Sequence, residues 1–235
     1  MKGLGKTKIE LGTASWNPIC GCNNNCPWCW SRNRVAPRLK CERCRKFELH
    51  VHDERWEQPF NTKKPQRVLV CWTGDAFSWK EKDDDMGAIE RMFYEAERAP
   101  WHKYLFLTRC PQNIPQRDYP DNWWFGTSIT GEENKSEILM SFLDINTGHT
   151  FLMIEPLRGK IIPCIHFLDW VVVGAQTGKN PIVPDIVVIK DIINECKESD
   201  TPLFFKDNLL SRLPDLPRVQ QIPEDLKKEW GLHYI

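Results

Sequence analysis

Cys22, Cys26 and Cys29 stand on one short segment, Gly21-Cys22-Asn23-Asn24-Asn25-Cys26-Pro27-Trp28-Cys29-Trp30. Three thiolates at this spacing can each take one iron of a 4Fe-4S cubane, which leaves the fourth iron without a protein ligand. An open iron is a catalytic feature, because a small molecule can bind there. A second pattern competes for the same residues. Cys26-x2-Cys29 and Cys41-x2-Cys44 together make a tetrathiolate zinc ribbon, the frame of a non-catalytic nucleic-acid-binding adaptor. That pairing leaves Cys20 and Cys22 without a task, and Cys41-Glu42-Arg43-Cys44 lacks the glycine that a ribbon knuckle normally carries. On the cluster reading Cys20, Cys41 and Cys44 are spare. Cys41, Cys44 and one of His50 or His52 would suit an additional zinc ion, although His-x-His in a strand-like stretch also reads as a surface pair. Cys71, Cys110, Cys164 and Cys196 are scattered singly and read as buried thiols.

Farther along come Val70-Cys71-Trp72-Thr73-Gly74-Asp75-Ala76-Phe77, Leu107-Thr108-Arg109-Cys110-Pro111, Ile154-Glu155-Pro156-Leu157, Trp170-Val171-Val172-Val173-Gly174 and Phe204-Phe205-Lys206, in this order. With the cysteine loop and its Trp28, these segments resemble the radical S-adenosylmethionine (SAM) superfamily, and within it a phage- and archaea-associated family of unassigned substrate. The likeness covers nearly the whole chain. It implies a 4Fe-4S cluster on Cys22, Cys26 and Cys29, SAM bound at the open iron, and reductive SAM cleavage that starts hydrogen abstraction. It places the Trp28 backbone near the adenine. Gly74 and Asp75 stand where the superfamily carries Gly-Gly-Glu for the SAM ammonium, with Asp75 one methylene shorter. The resemblance also suggests a methyltransferase-like partner protein, and the chemistry needs a reductant such as a flavodoxin or ferredoxin.

Other candidate groups lie at strand ends. Thr127 and Ser128 carry hydroxyls that could reach the SAM ribose, and Glu155 and Lys206 are the candidate catalytic pair or an ordinary salt bridge. Arg32, Arg34, Arg38, Lys40, Arg43, Arg45 and Lys46 face only Glu42 in charge, directly after the cysteine loop. Such a basic run could steer a phosphate-bearing or nucleic-acid substrate, dock an acidic donor, or simply be solvated. Elsewhere the chain is balanced, with 32 basic and 32 acidic residues, so no global field draws it to nucleic acid or an anionic membrane. Met1 to Glu10 lacks a signal-peptide core, and no apolar run approaches the roughly 18 residues of a membrane helix. These features predict a cytosolic protein, where disulfides are disfavoured and metal binding best accounts for ten cysteines.

To bring these groups together the chain needs parallel strands with ligand-bearing ends. Strands are expected at Ile9–Ala14, Arg67–Trp72, Tyr104–Thr108, Trp123–Ile129, Thr150–Ile154, Trp170–Gly174 and Leu203–Lys206, from β-rich runs ending in polar tips. Helical periodicity marks Met86–Ala99, Asn134–Leu143 and Ile186–Lys197, with Asp83–Asp85 as an acidic helix start. Alternation of the two predicts α/β architecture in one domain, residues 1–235, as a partial (β/α) TIM-like barrel of about six or seven parallel strands. A Cys/Arg-rich insertion occupies about residues 30–66.

Overall fold

The computed structural model describes residues 2–79, 86–132, 140, 142, 145, 148–160, 165–178 and 180–227. In chain order its strands are β1 (Gly5–Lys6), β2 (Ala14–Trp16), β3 (Ile19–Cys20), β4 (His50–Val51), β5 (Arg67–Val70), β6 (Lys103–Thr108), β7 (Trp123–Ile129), β8 (His149–Ile154), β9 (Trp170–Val173) and β10 (Leu203–Phe205). The helices are α1 (Glu42–Lys46), α2 (Gln58–Asn61), α3 (Met86–Glu97), α4 (Ile186–Glu198), α5 (Asp207–Leu210) and α6 (Glu224–Lys227). Eight strands form one sheet in the order β1-β2-β5-β6-β7-β8-β9-β10, and β3 pairs with β4 separately. From β2 to β10 every neighbour is parallel, whereas β1 runs antiparallel to β2. The α/β class and the parallel order are as expected. The sheet remains open, with β1 and β10 as its edges.

Both faces of this sheet are buried, and side-chain alternation sorts each strand between two cores. Val68, Val70, Tyr104, Phe106, Trp123, Phe125, Leu152, Ile154, Val171 and Val173 pack on one face with α3 and α4. Leu69, Leu105, Trp124, Phe151, Met153, Trp170, Val172 and Phe204 fill the other, joined by Leu11 and Leu226. Helix α3 joins the first core through Ile89, Met92, Phe93 and Ala96, the i, i+3, i+4, i+7 stripe of its sequence. Helix α4 begins at Asp185, whose carboxylate accepts from Val187 N at 2.8 Å.

The first expected strand is displaced. Extended pairing begins at Ala14, because Gly12 N turns back to Ile9 O at 3.2 Å and frees Ile9–Glu10 from the ladder. The other six expected strands stand within two residues of their predicted ends. Asn134–Leu143, apart from Met140 and Phe142, and Asp83–Asp85 and Cys164 lie outside the described residues. Within the insertion, Cys44, His50 and Trp56 are buried, so the segment is part of the packed structure. No helix among the described residues is long and apolar enough to cross a membrane.

Phe93 is fully buried among Phe106, Tyr119 and Trp123, with ring centroids 5.7, 5.5 and 5.2 Å away. Phe93→Ala should therefore cost about 3–5 kcal/mol, whereas Tyr94→Ala next to it, on the exposed face, should stay within about 0.5 kcal/mol. Chemical denaturation of both variants checks the orientation of α3.

Candidate active site

The carboxyl ends of β5 to β10 open onto one cavity of about 340 Å³. Trp72 follows β5, Leu107 and Arg109 end β6, Ser128 lies on β7, and Met153 and Glu155 end β8. Gln176 follows β9, and Lys206 and Asn208 follow β10. Cys26, Trp28, Cys29 and Trp30 of the cysteine loop form another wall, with Lys8 to Glu10 closing a further side. The loop and the strand ends, far apart in sequence, thus face the same volume.

Two constraints hold the loop there. Gly74 packs against Gly21, where an added Cβ would stand 2.2 Å from the Gly21 carbonyl oxygen, so only glycine allows this approach. Asp75 supplies the second. Its Oδ2 accepts from Asn24 Nδ2 at 2.8 Å and Arg109 N at 2.9 Å, and its Oδ1 accepts from Thr108 Oγ1 at 2.8 Å and Phe77 N at 3.1 Å. The carboxyl is buried, and burial pushes its pKa up against the pull of these donors. Arg32 tightens the loop from the other side, donating to Cys22 O at 3.2 Å and Asn25 Oδ1 at 2.7 Å.

Backbone N–H groups point at two of the three loop sulfurs, from Asn24 to Cys22 Sγ and from Arg32 to Cys29 Sγ, both at 3.3 Å. Burial, aided by the Asp75 carboxylate, pushes the Cys22 thiol up to about 11, and burial also raises Cys26 against the lowering effect of Arg109. Trp28 carries the Arg158 guanidinium 4.4 Å and the Arg109 guanidinium 5.9 Å from its ring centre. Opposite, Lys206 Nζ donates to both Glu155 oxygens at 2.9 and 2.8 Å, and Asn208 Nδ2 adds a third bond at 2.7 Å.

Among the expected residues, Cys26, Cys29, Trp28, Ser128, Glu155 and Lys206 line the cavity. Cys22, Asp75 and Thr127 do not: the Cys22 sulfur lies behind the wall and accepts from Asn24 N, Asp75 is taken up by its four donors, and the buried Thr127 hydroxyl donates to Thr108 O at 3.2 Å. Gly74 likewise sits behind the loop. Arg158 and Asn208 were not foreseen, and Asn208 two residues beyond Lys206 was the available signal. Of the lone cysteines, Cys71 and Cys196 are buried, while Cys110 is half-buried and donates to Asn24 Oδ1 at 3.2 Å.

The spare cysteines have their own place. Cys41, Cys44, His50 and His52 bring their ligand atoms within 4.8 Å of one another, a group able to bind a metal ion. The ribbon set of Cys26, Cys29, Cys41 and Cys44 is not gathered; Cys41 and Cys44 meet the two histidines instead. The strand-like His pair is thus turned inward, with His50 buried. Much of the basic run is also engaged: Arg43 donates to Leu49 O at 3.0 Å, Arg45 to Lys40 O at 2.8 Å, and Lys46 pairs with Glu42 at 2.9 Å. Arg34, Arg38 and Lys40 are exposed, as are Arg43, Arg45 and Lys46.

A family model described as "Protein of unknown function (DUF5131)" matches residues 6–209. The chain belongs to that family. No curated protein and no solved structure matches it. The DUF5131 span contains both cysteine groups and every cavity residue named above, whereas α6 lies beyond it.

Asp75→Asn would set an amide NH₂ against two donors. With each unpaired buried donor costing about 1–3 kcal/mol, the variant should lose about 2 kcal/mol or more. Urea unfolding checks this, and an unchanged midpoint would remove Asp75 from its bracing role.

Proposed function

We propose that this chain is a radical SAM enzyme, with a 4Fe-4S cluster on Cys22, Cys26 and Cys29 and SAM in the adjoining cavity. The observation that carries the reading is that Cys26, Trp28 and Cys29 line the same cavity as six consecutive strand ends. Carboxyl ends of parallel strands are where α/β folds bind ligands. On this reading the open sheet is a partial (β/α) barrel, since curling is what lets the ends of β5 and β10 meet one volume.

The donor set suits the cluster. Three cysteines on one loop leave an iron open, and N–H groups aimed at Cys22 and Cys29 sulfurs stabilise cluster-bound thiolates. When bound, cluster and SAM supply hydrogen-atom abstraction. The chain's own residues then bind and orient. Trp28, with Arg158 held over it, offers an apolar face to the cavity and keeps water from that wall. Lys206 and Asn208 hold the Glu155 side chain in place at the cavity wall, where its oxygens can accept from an ammonium or hydroxyl of a ligand. Ser128 lines the wall between them. Asp75 acts from behind, holding Asn24 and so the cysteine loop against the tips of β5 and β6.

Anaerobic reconstitution with iron and sulfide, followed by dithionite and SAM, should yield 5′-deoxyadenosine. Cys22→Ala, Cys26→Ala and Cys29→Ala should each lose the brown colour and nearly all iron. Glu155→Gln should keep the cluster but weaken SAM- or substrate-dependent turnover about ten- to a hundred-fold, the worth of a charge-assisted hydrogen bond. Full iron and sulfide in the Cys29→Ala protein would sink the assignment.

A further inference from the structure

Cys41 caps the start of α1 and Cys44 lies in its first turn, while His50 and His52 project from the same side of the β4 segment. Their contacts are those of ligands converging on a point. Cys44 Sγ is 3.4 Å from His50 Nε2 and 3.1 Å from His52 Nε2, Cys41 Sγ is 3.6 Å from His50 Nε2, and the two Nε2 atoms are 3.0 Å apart. A tetrahedral zinc with ordinary Zn–S and Zn–N bonds sets its ligand atoms about 3.3–3.8 Å apart, close to these separations. A cubane spreads its thiolates more widely, so this group fits a single ion.

The opposite ring nitrogens decide the direction of the lone pairs. His50 Nδ1 faces Glu48 O at 2.8 Å, and His52 Nδ1 faces the Glu54 carboxylate at 2.9 Å. Both partners are acceptors, so each Nδ1 is placed to donate and each Nε2 is turned to the centre. Two Nε2 atoms so turned, 3.0 Å apart, are placed to share one cation between them. Backbone carbonyl and carboxylate at the far nitrogens are also the usual outer partners of metal-bound histidine. With two thiolates a divalent ion gives a neutral centre, which suits the burial of Cys44 and His50. Thiolate and imidazole together select zinc among the common divalent ions.

We infer that Cys41, Cys44, His50 and His52 bind one zinc ion, which fixes the β3–β4 pair on which the cysteine loop rests. Cys20 pairs with His50 across β3 and β4, Cys22 N donates to Phe47 O at 3.4 Å, and His52 N donates to Pro18 O at 2.8 Å. Gly21, at φ +87°, lies so close that an added Cβ would be 2.0 Å from Glu48 O. The ion ties α1 to β4, and β4 carries the start of the loop. Cys20, whose sulfur accepts from Arg55 Nη1 at 3.3 Å, stands outside the ligand set.

The zinc site stands independently of the radical reading, and its test avoids the cluster altogether. In a full-length chain with Cys22, Cys26 and Cys29 all changed to Ser, metal analysis after dialysis against a weak chelator should find one zinc per chain. Cobalt(II) in its place should show the intense visible bands of a tetrahedral site and a sulfur-to-cobalt band sized for two thiolates. Cys44→Ser and His50→Ala in that background should each lower zinc affinity at least about tenfold, and Glu54→Gln, a positioning change, about tenfold. His52→Cys should keep the ion and enlarge the sulfur-to-cobalt band to that of three thiolates, which shows a folded site. Cys20→Ser should leave the spectrum unchanged. Zinc lost from the triple-Ser chain would overturn the inference and move the ion to a ribbon with Cys26 and Cys29. Zinc retained at full affinity in Cys44→Ser or His50→Ala would overturn it as adventitious, and loss in Cys20→Ser would overturn the four-residue set.

Discussion

A carboxylate sealed from water must find its donors within the protein, and the placing of the cysteine loop depends on where Asp75 finds them. One donor comes from the loop, one from its own turn, and two from the end of β6. These three segments are therefore locked in one arrangement, since moving any of them strands a buried charge or a buried donor. The close packing of Gly74 on Gly21 adds a steric condition to the electrostatic one. Asp75 stands where a ligand-binding carboxylate was expected and does its work one layer deeper.

The cavity owes its existence to the order of the strands. Each parallel strand from β5 to β10 lies beside its predecessor in the chain, and among the described residues between them Ile89, Ile114, Phe142, Leu168 and Ile189 all enter one core, which α3 and α4 share. The other face is left to strand side chains, with Leu11 and Leu226 brought in from the chain's two ends. Large aromatics such as Trp124, Phe151 and Trp170 fill that face within the sheet, and the polar strand ends beyond them are free to line a cavity.

The two cysteine groups are neighbours in sequence but distinct in chemistry. One lies on a loop at the cavity, where backbone N–H groups point at two of its sulfurs and Arg32 holds its backbone. The other is drawn within the reach of a single ion, with its histidines oriented from behind by Glu48 and Glu54. The second group underlies the first, because β4 is the surface on which the loop's leading residues are laid.

Local pattern was enough to find the six strands from β5 to β10, because apolar runs of strand length bounded by polar tips leave little else to form. It was enough as well to single out Cys26, Cys29, Glu155 and Lys206, which the fold brings to the wall of one cavity. Tertiary structure alone decided that Ile9–Glu10 line a cavity and do not pair, that Asp75 braces and does not face the cavity, and that Cys41 and Cys44 meet His50 and His52 and not Cys26 and Cys29. Each of these depends on which distant groups share a volume. Spacing along a chain reports which atoms can reach a point, whereas the packing of the sheet and the turn at Phe47, with φ +58°, determines which of them arrive there.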